Sequence, residues 1–134
     1  MDAASALADL TEISSQVEAA VIVDSEGAVL ASTIAEETGT ERLVRAGLAL
    51  VEAADSQFGT GSRTVTELEV ALRGGSVFVA RQDGLALVAR TSAGPSSGLV
   101  LYDLGTCLRT LAEARSKPKP KSRSAKKAAT TADA

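Results

Sequence analysis

The sequence predicts an α/β sandwich with elements in the order α-β-β-α-β-β-β-α around a five-stranded antiparallel sheet. Three observations predict it. Apolar residues recur at spacings of three and four in three separate segments, the mark of amphipathic helices. Between those helices lie short runs rich in Val, Ile and Leu that alternate or stay apolar. Within each cluster the runs are joined by turn residues (Asp24-Ser25-Glu26-Gly27, Gly74-Gly75 and Gln82-Asp83-Gly84), and strands joined by tight turns pair antiparallel.

The first helix is read over Ala3–Gln16. Ala3, Ala6, Leu7, Leu10, Ile13 and Val17 form one stripe, with Asp9 and Glu12 outside it. Ala20–Val23 and Ala28–Leu30 follow as a hairpin, whose Gly27 supplies the positive φ of a tight reversal. The polar segment Ile34–Gly39 reads as a loop. Thr40 then stands where its hydroxyl would cap a helix, and Glu41 suits the positive end of the helix dipole.

That second helix, about Glu41–Phe58, carries Leu43, Gly47, Leu50, Val51, Ala54 and Phe58 on its predicted core side. Arg45, Leu48, Ala49, Glu52 and Ser56 lie opposite, with Val44 at the margin. A face holding Leu48, Ala49 and Val44 is more apolar than a solvated helix face needs to be, so a second burial by a partner is expected.

Thr64–Leu72 alternates, with Thr66, Leu68, Val70 and Leu72 on one face and Val65, Glu67, Glu69 and Ala71 on the other. Ser76–Arg81 and Leu85–Thr91 complete the strands. Gly94-Pro95-Ser96-Ser97 opens the last helix, in which Leu101, Leu104, Leu108 and Leu111 recur with Val100 and Cys107 beside them.

Composition narrows the function classes. The 134 residues are 45% hydrophobic, enough for one domain with an aliphatic core, since the aromatics are only Phe58, Phe78 and Tyr102. No apolar run approaches the ~20 residues of a membrane span, and the polar, acidic start is unlike a secretory signal, so a cytoplasmic address is expected. There is no histidine and one cysteine, which removes His/Cys metal sites, internal disulfides and Ser–His or Cys–His nucleophile pairs. No G-x-x-x-x-G-K-[ST] loop occurs, because Gly59–Ser62 lacks the lysine. No catalytic residue, cofactor site, metal site or small-molecule substrate is therefore expected. Asp24 reads as a turn residue and Cys107 as a small core hydrophobe. The loop Gly94–Gly98 reads as helix initiation.

Charge divides the chain. Residues 1–114 hold seven arginines, no lysine and sixteen acidic residues, net −9. Residues 115–134 hold two arginines, five lysines and only Asp133, net +6. That segment has almost no large apolar side chain to offset the entropy of ordering, so a domain over 1–114 with a basic disordered tail over 115–134 is expected.

The ordered set of segments resembles the roadblock domain family, the dynein-light-chain-like proteins whose bacterial members regulate Ras-like GTPases. The residues that carry the resemblance are Val17-Glu18-Ala19-Ala20-Val21-Ile22-Val23-Asp24 with Gly27 and Leu30-Ala31-Ser32, then the helix Leu43–Ala54. They continue as Thr66-Glu67-Leu68, Val77-Phe78-Val79, Leu85-Ala86-Leu87-Val88 and Gly98-Leu99-Val100. The match spans about Leu7–Ala114, with Ala19 where the family often has Gly, and the basic tail lies outside the pattern.

The resemblance implies a roadblock/profilin-like sheet and a homodimer in which Thr64–Leu72 pairs with its copy, with Val44, Thr64, Val65, Thr66, Glu67, Leu68 and Val70 at the interface. It also implies a Ras-like small GTPase docked on the paired second helices through Arg42, Arg45, Leu48, Ala49, Glu52 and Ser56. The expected function is thus a non-enzymatic dimeric regulator of GTPase switching or hydrolysis. The alternative is a dimeric scaffold of a signalling or motility complex without effect on hydrolysis. A weak contact of the basic tail with nucleic acid or an anionic membrane is a further expectation, opposed by the acidic domain.

Overall fold

The structure is a computed structural model that describes residues 1–59, 61 and 63–116. Its elements are α1 (Ala3–Ile13), β1 (Val17–Val23), β2 (Val29–Ser32), α2 (Glu37–Phe58), β3 (Glu67–Leu72), β4 (Gly75–Gln82), β5 (Leu85–Thr91) and α3 (Ser97–Ser116). The expected element order and five-stranded antiparallel sheet are both present. The sheet order is β2-β1-β5-β4-β3, so the last hairpins of the chain fold in beside the first strand and leave β2 and β3 at the two edges.

Alternation along the central strands builds two cores. Ala20, Ile22, Phe78, Ala80, Leu85, Leu87 and Ala89 face α1 and α3. Ala19, Val21, Val23, Val79, Ala86 and Val88 face α2. Covered on both sides, β1 and β5 read as nearly continuous apolar runs rather than as alternating strands. Each large side chain buried there stabilises the fold by roughly 1.5–3 kcal/mol before the entropy of ordering is counted.

Several element ends depart from the sequence reading. α1 stops at Ile13, which is 63% exposed instead of lying on the core stripe. Ser14 caps that end through its N–H to the Leu10 carbonyl, and Val17 belongs to β1. In the first hairpin, Asp24 Oδ1 accepts the N–H groups of Glu26 and Ala28, both at 2.9 Å, which makes Asp24 the organiser of the turn and leaves Ala28 outside β2.

α2 begins at Glu37, one turn before Glu41, so Gly39 and Thr40 are helical. Thr40 is not the cap. Its buried hydroxyl lies 2.8 Å from Ser32 Oγ and also donates to the Ile34 carbonyl, tying the first turn of α2 to the end of β2. Phe58, expected in the core, is 74% exposed. At the other end of the chain α3 runs through Ser116, two residues past the expected domain end at Ala114. The basic tail from Lys117 on lies outside the described residues.

Candidate interaction surface

α2 is the only helix on its side of the sheet among the described residues, and its 22 residues make a rod roughly 33 Å long. Leu43, Val44, Gly47 and Val51 turn toward β1, β4 and β5 and are buried. Val44 is therefore covered by its own sheet. The expectation that Val44 sits at the helix margin awaiting a partner is corrected, because the helix is rotated toward Val44 and away from Leu50, Ala54 and Phe58. Leu48 also differs from expectation: it is half-buried against the same core, and Gly27 packs near its Cδ1.

The remaining predicted docking residues come together. Arg42, Arg45, Ala49, Glu52 and Ser56 are exposed and follow one another at spacings of three and four, so they share one helix face. Ala46 and Ala53, also exposed, widen a strip of small side chains between the charges. Among the described residues the ion pairs are Arg81 with Asp55 and Arg90 with Glu18, so Arg42, Arg45 and Glu52 are not committed to a partner within the fold.

β3 presents the second surface. It pairs with β4 from Glu67↔Ala80 to Leu72↔Gly75, and its other side is open. Leu68 and Val70 are half-buried and Leu72 is 60% exposed, all three on the side of the sheet that α2 occupies. Glu67 and Glu69 point to the other side and are exposed. Thr64, Val65 and Thr66, expected in the strand, precede it instead.

A clasp explains that departure. Asp55 Oδ1 accepts the Val65 N–H at 2.9 Å. Arg81 Nε donates to the Val65 carbonyl at 2.8 Å, and its Nη2 reaches both that carbonyl and the Asp55 carboxylate, the latter at 2.9 Å. The Val65 N–H bond first, and then Arg81, hold the Asp55 carboxyl below its ordinary pKa. Sequence reasoning missed both residues, since Arg81 lies 26 positions from Asp55 and no local periodicity joins them.

Between α2, residues 64–66 and the β4–β5 turn lies an open cleft of about 410 Å³, lined in part by Leu48, Val65, Arg81 and Leu85. No group of three or more His, Cys, Asp or Glu among the described residues is placed to hold a metal ion. No helix among them is long and apolar enough to cross a membrane.

No known family model matches the sequence, and no curated protein matches it. Solved structures do resemble the fold. A Roadblock/LC7 domain from Streptomyces avermitilis is 16% identical, with 87% of this chain and all of that one covered at a TM-score of 0.74. The gliding protein MglB from Thermus thermophilus is 16% identical, with 83% of this chain and 86% of that one covered at a TM-score of 0.69. LokiProfilin2, in a complex with rabbit actin, is 16% identical, with 81% of this chain and 94% of that one covered at a TM-score of 0.55. Three helices pack on both faces of the β2-β1-β5-β4-β3 sheet, and the likeness to these structures gives this chain the roadblock-domain fold.

Proposed function

We propose that this chain is a non-enzymatic, dimeric regulator that docks a Ras-like small GTPase and shifts its switching or hydrolysis. The observation that carries the reading is the outer stripe of α2. Arg42, Arg45, Ala49, Glu52 and Ser56 form a mixed-charge face with small residues at its centre, and its charged side chains belong to no ion pair among the described residues. The open β3 edge supports the dimer. Two copies paired there make one continuous sheet, cover Leu68, Val70 and Leu72, and remove an unprotected edge. A stable pair of this kind buries on the order of 1,200–2,000 Å² in total. Two α2 helices brought side by side double the docking face.

The fold is that of a Roadblock/LC7 domain and of gliding protein MglB, which agrees with a regulatory role. With no histidine in the chain, catalysis would reside in the GTPase. The dimer acts by population shift: it favours whichever switch-loop arrangement it binds more tightly, by its differential affinity for the two. A cytoplasmic site of action fits such a partner.

The test measures GTP turnover by a cognate Ras-like GTPase with the wild type, with Arg45→Glu and with Ala49→Asp. Wild type is expected to change the rate, and either variant to lose most of that change while remaining folded. Equal rates with all three proteins remove this face from the account. Saturable binding without any change in turnover selects the scaffold role.

A further inference from the structure

The clasp at Val65 does more than join α2 to the sheet. In the β3–β4 ladder the Arg81 N–H donates to the Thr66 carbonyl at 2.8 Å. Antiparallel pairing alternates, so the backbone groups of Leu68, Val70 and Leu72 turn toward β4 like those of Thr66. Those of Glu67, Glu69 and Ala71 turn to the open side. Continued one step back, the same alternation makes Val65 the next residue in the outward series. Both of its backbone groups are already taken: the N–H by Asp55 and the carbonyl by Arg81. The two side chains are anchored on different elements, α2 and β4, and are bonded to each other at 2.9 Å.

We infer that Asp55 and Arg81 are positioning residues that terminate the assembly edge, limiting a second copy of this chain to the three outward residues Glu67, Glu69 and Ala71. The inference rests on the dimer reading above. Opening the clasp returns the Val65 N–H and carbonyl to the edge. The pairing then extends by one step on each copy, and its symmetric register moves from a centre on Glu69 to one between Glu67 and Glu69. A clasp of this kind also protects the edge from open-ended pairing, since it satisfies the backbone groups of Val65 with side chains of the same chain.

The experiment uses the full chain as wild type, Arg81→Met, Asp55→Ala and the double variant. Self-association is followed by sedimentation across a concentration series, with amide exchange by NMR and thermal melting on the same samples. In wild type the Glu67, Glu69 and Ala71 amides are expected to gain protection with concentration, while Val65 protection stays independent of it. In the double variant Val65 protection becomes concentration-dependent and association tightens on the order of tenfold, the effect of a few added backbone hydrogen bonds. Each single variant falls between. A purely structural role would lower the melting temperature without moving Val65 into the concentration-dependent set. Folded variants whose association is unchanged or weaker overturn the inference. If wild type stays monomeric at every concentration, the dimer reading fails. The clasp inference then stands only if the double variant associates through β3, and falls if that variant is monomeric too.

Discussion

Gly47 of α2 lies directly against Val88 of β5. A Cβ built on Gly47 would stand 2.6 Å from Val88 Cγ1 and 2.7 Å from Cγ2. Val88 is fully buried and β-branched, so it cannot swing aside. Glycine in a helix interior costs up to ~1 kcal/mol relative to alanine, and here that cost is accepted for a close approach of helix to sheet. Gly47→Ala is expected to destabilise the fold, because overpacking of roughly 1–3 kcal/mol exceeds the gain in helix propensity. Urea unfolding should show a lower midpoint for Gly47→Ala. The pair Gly47→Ala with Val88→Ala should be more stable than the sum of the two single effects predicts.

That contact also shows which parts of the fold the sequence made legible. Apolar runs and turn residues located every strand cluster, since period and turn chemistry are local properties. The rotation of α2 was not local. Leu43, Gly47, Leu50 and Val51 are apolar or small on overlapping faces, and the choice among them was made by Val88, far along the chain, and by the hydroxyl pair of Thr40 with Ser32, which lies outside the helix. Val44 and Leu48 moved into the chain's own core for that reason, while Phe58 moved out. The start of β3 was hidden likewise, because its stop signal is Asp55 and Arg81 rather than a breaker residue in the strand. The stripe Arg42–Ser56 was readable because helical spacing alone gathers those side chains on one face.

Asp55 gives the fold a defined response to acid. Its carboxyl titrates lower in the folded chain than in the unfolded one, chiefly through the Val65 N–H bond and then through Arg81. The unfolded state therefore binds the proton first as pH falls, and this contribution, complete above about pH 4, disappears as pH drops through the folded value. Asp55→Asn removes the titration. Denaturation midpoints taken from pH 7 to pH 2.5 should converge for wild type and Asp55→Asn at the acid end. Parallel curves would mean that the clasp does not form in solution.

Cys107 is held away from reaction. It is 8% exposed, its Sγ lies 3.5 Å from the Ala6 carbonyl, and burial, assisted by the nearby Asp9, pushes its pKa up to about 11. At neutral pH the reactive thiolate is on the order of a hundredfold scarcer than for an ordinary cysteine. An aromatic disulfide reagent at pH 8 should label the native chain slowly and the urea-unfolded chain at once. Between pH 9 and about 11 the unfolded state loses the thiol proton before the folded one, so stability should decline across that window.

Leu48 and Ala49 separate the fold's own packing from the proposed docking face. It is half-buried against the α2 core and lies beside Gly27 of the first hairpin, whereas Ala49 beside it is exposed. Leu48→Ala should lower stability by roughly 1–2 kcal/mol, below the range for a fully buried leucine. Ala49→Ser should leave the unfolding midpoint within about 0.5 kcal/mol of wild type. An unfolding midpoint unmoved by Leu48→Ala would mean that this leucine faces outward.

On the dimer reading, the two glutamates on β3 set the electrostatics of self-association. Glu67 and Glu69 occupy the edge strand that the dimer reading pairs with its copy, and neither belongs to an ion pair among the described residues. Glu69 does accept a hydrogen bond from the Ser97 hydroxyl at 2.7 Å, which fixes it over the start of α3. A symmetric antiparallel pairing centred on Glu69 sets that residue opposite its own copy, and like charges directly opposite one another weaken a strand pair by roughly 0.2–1 kcal/mol. Salt screens such a repulsion, and removal of the charge abolishes it. Sedimentation equilibrium should therefore show tighter association as salt rises from 50 to 500 mM, and Glu69→Gln should tighten it a fewfold at low salt while flattening the salt dependence. Association that weakens with salt would place opposite charges across the interface, which this edge-to-edge pairing does not provide, and would move the dimer contact elsewhere on the molecule.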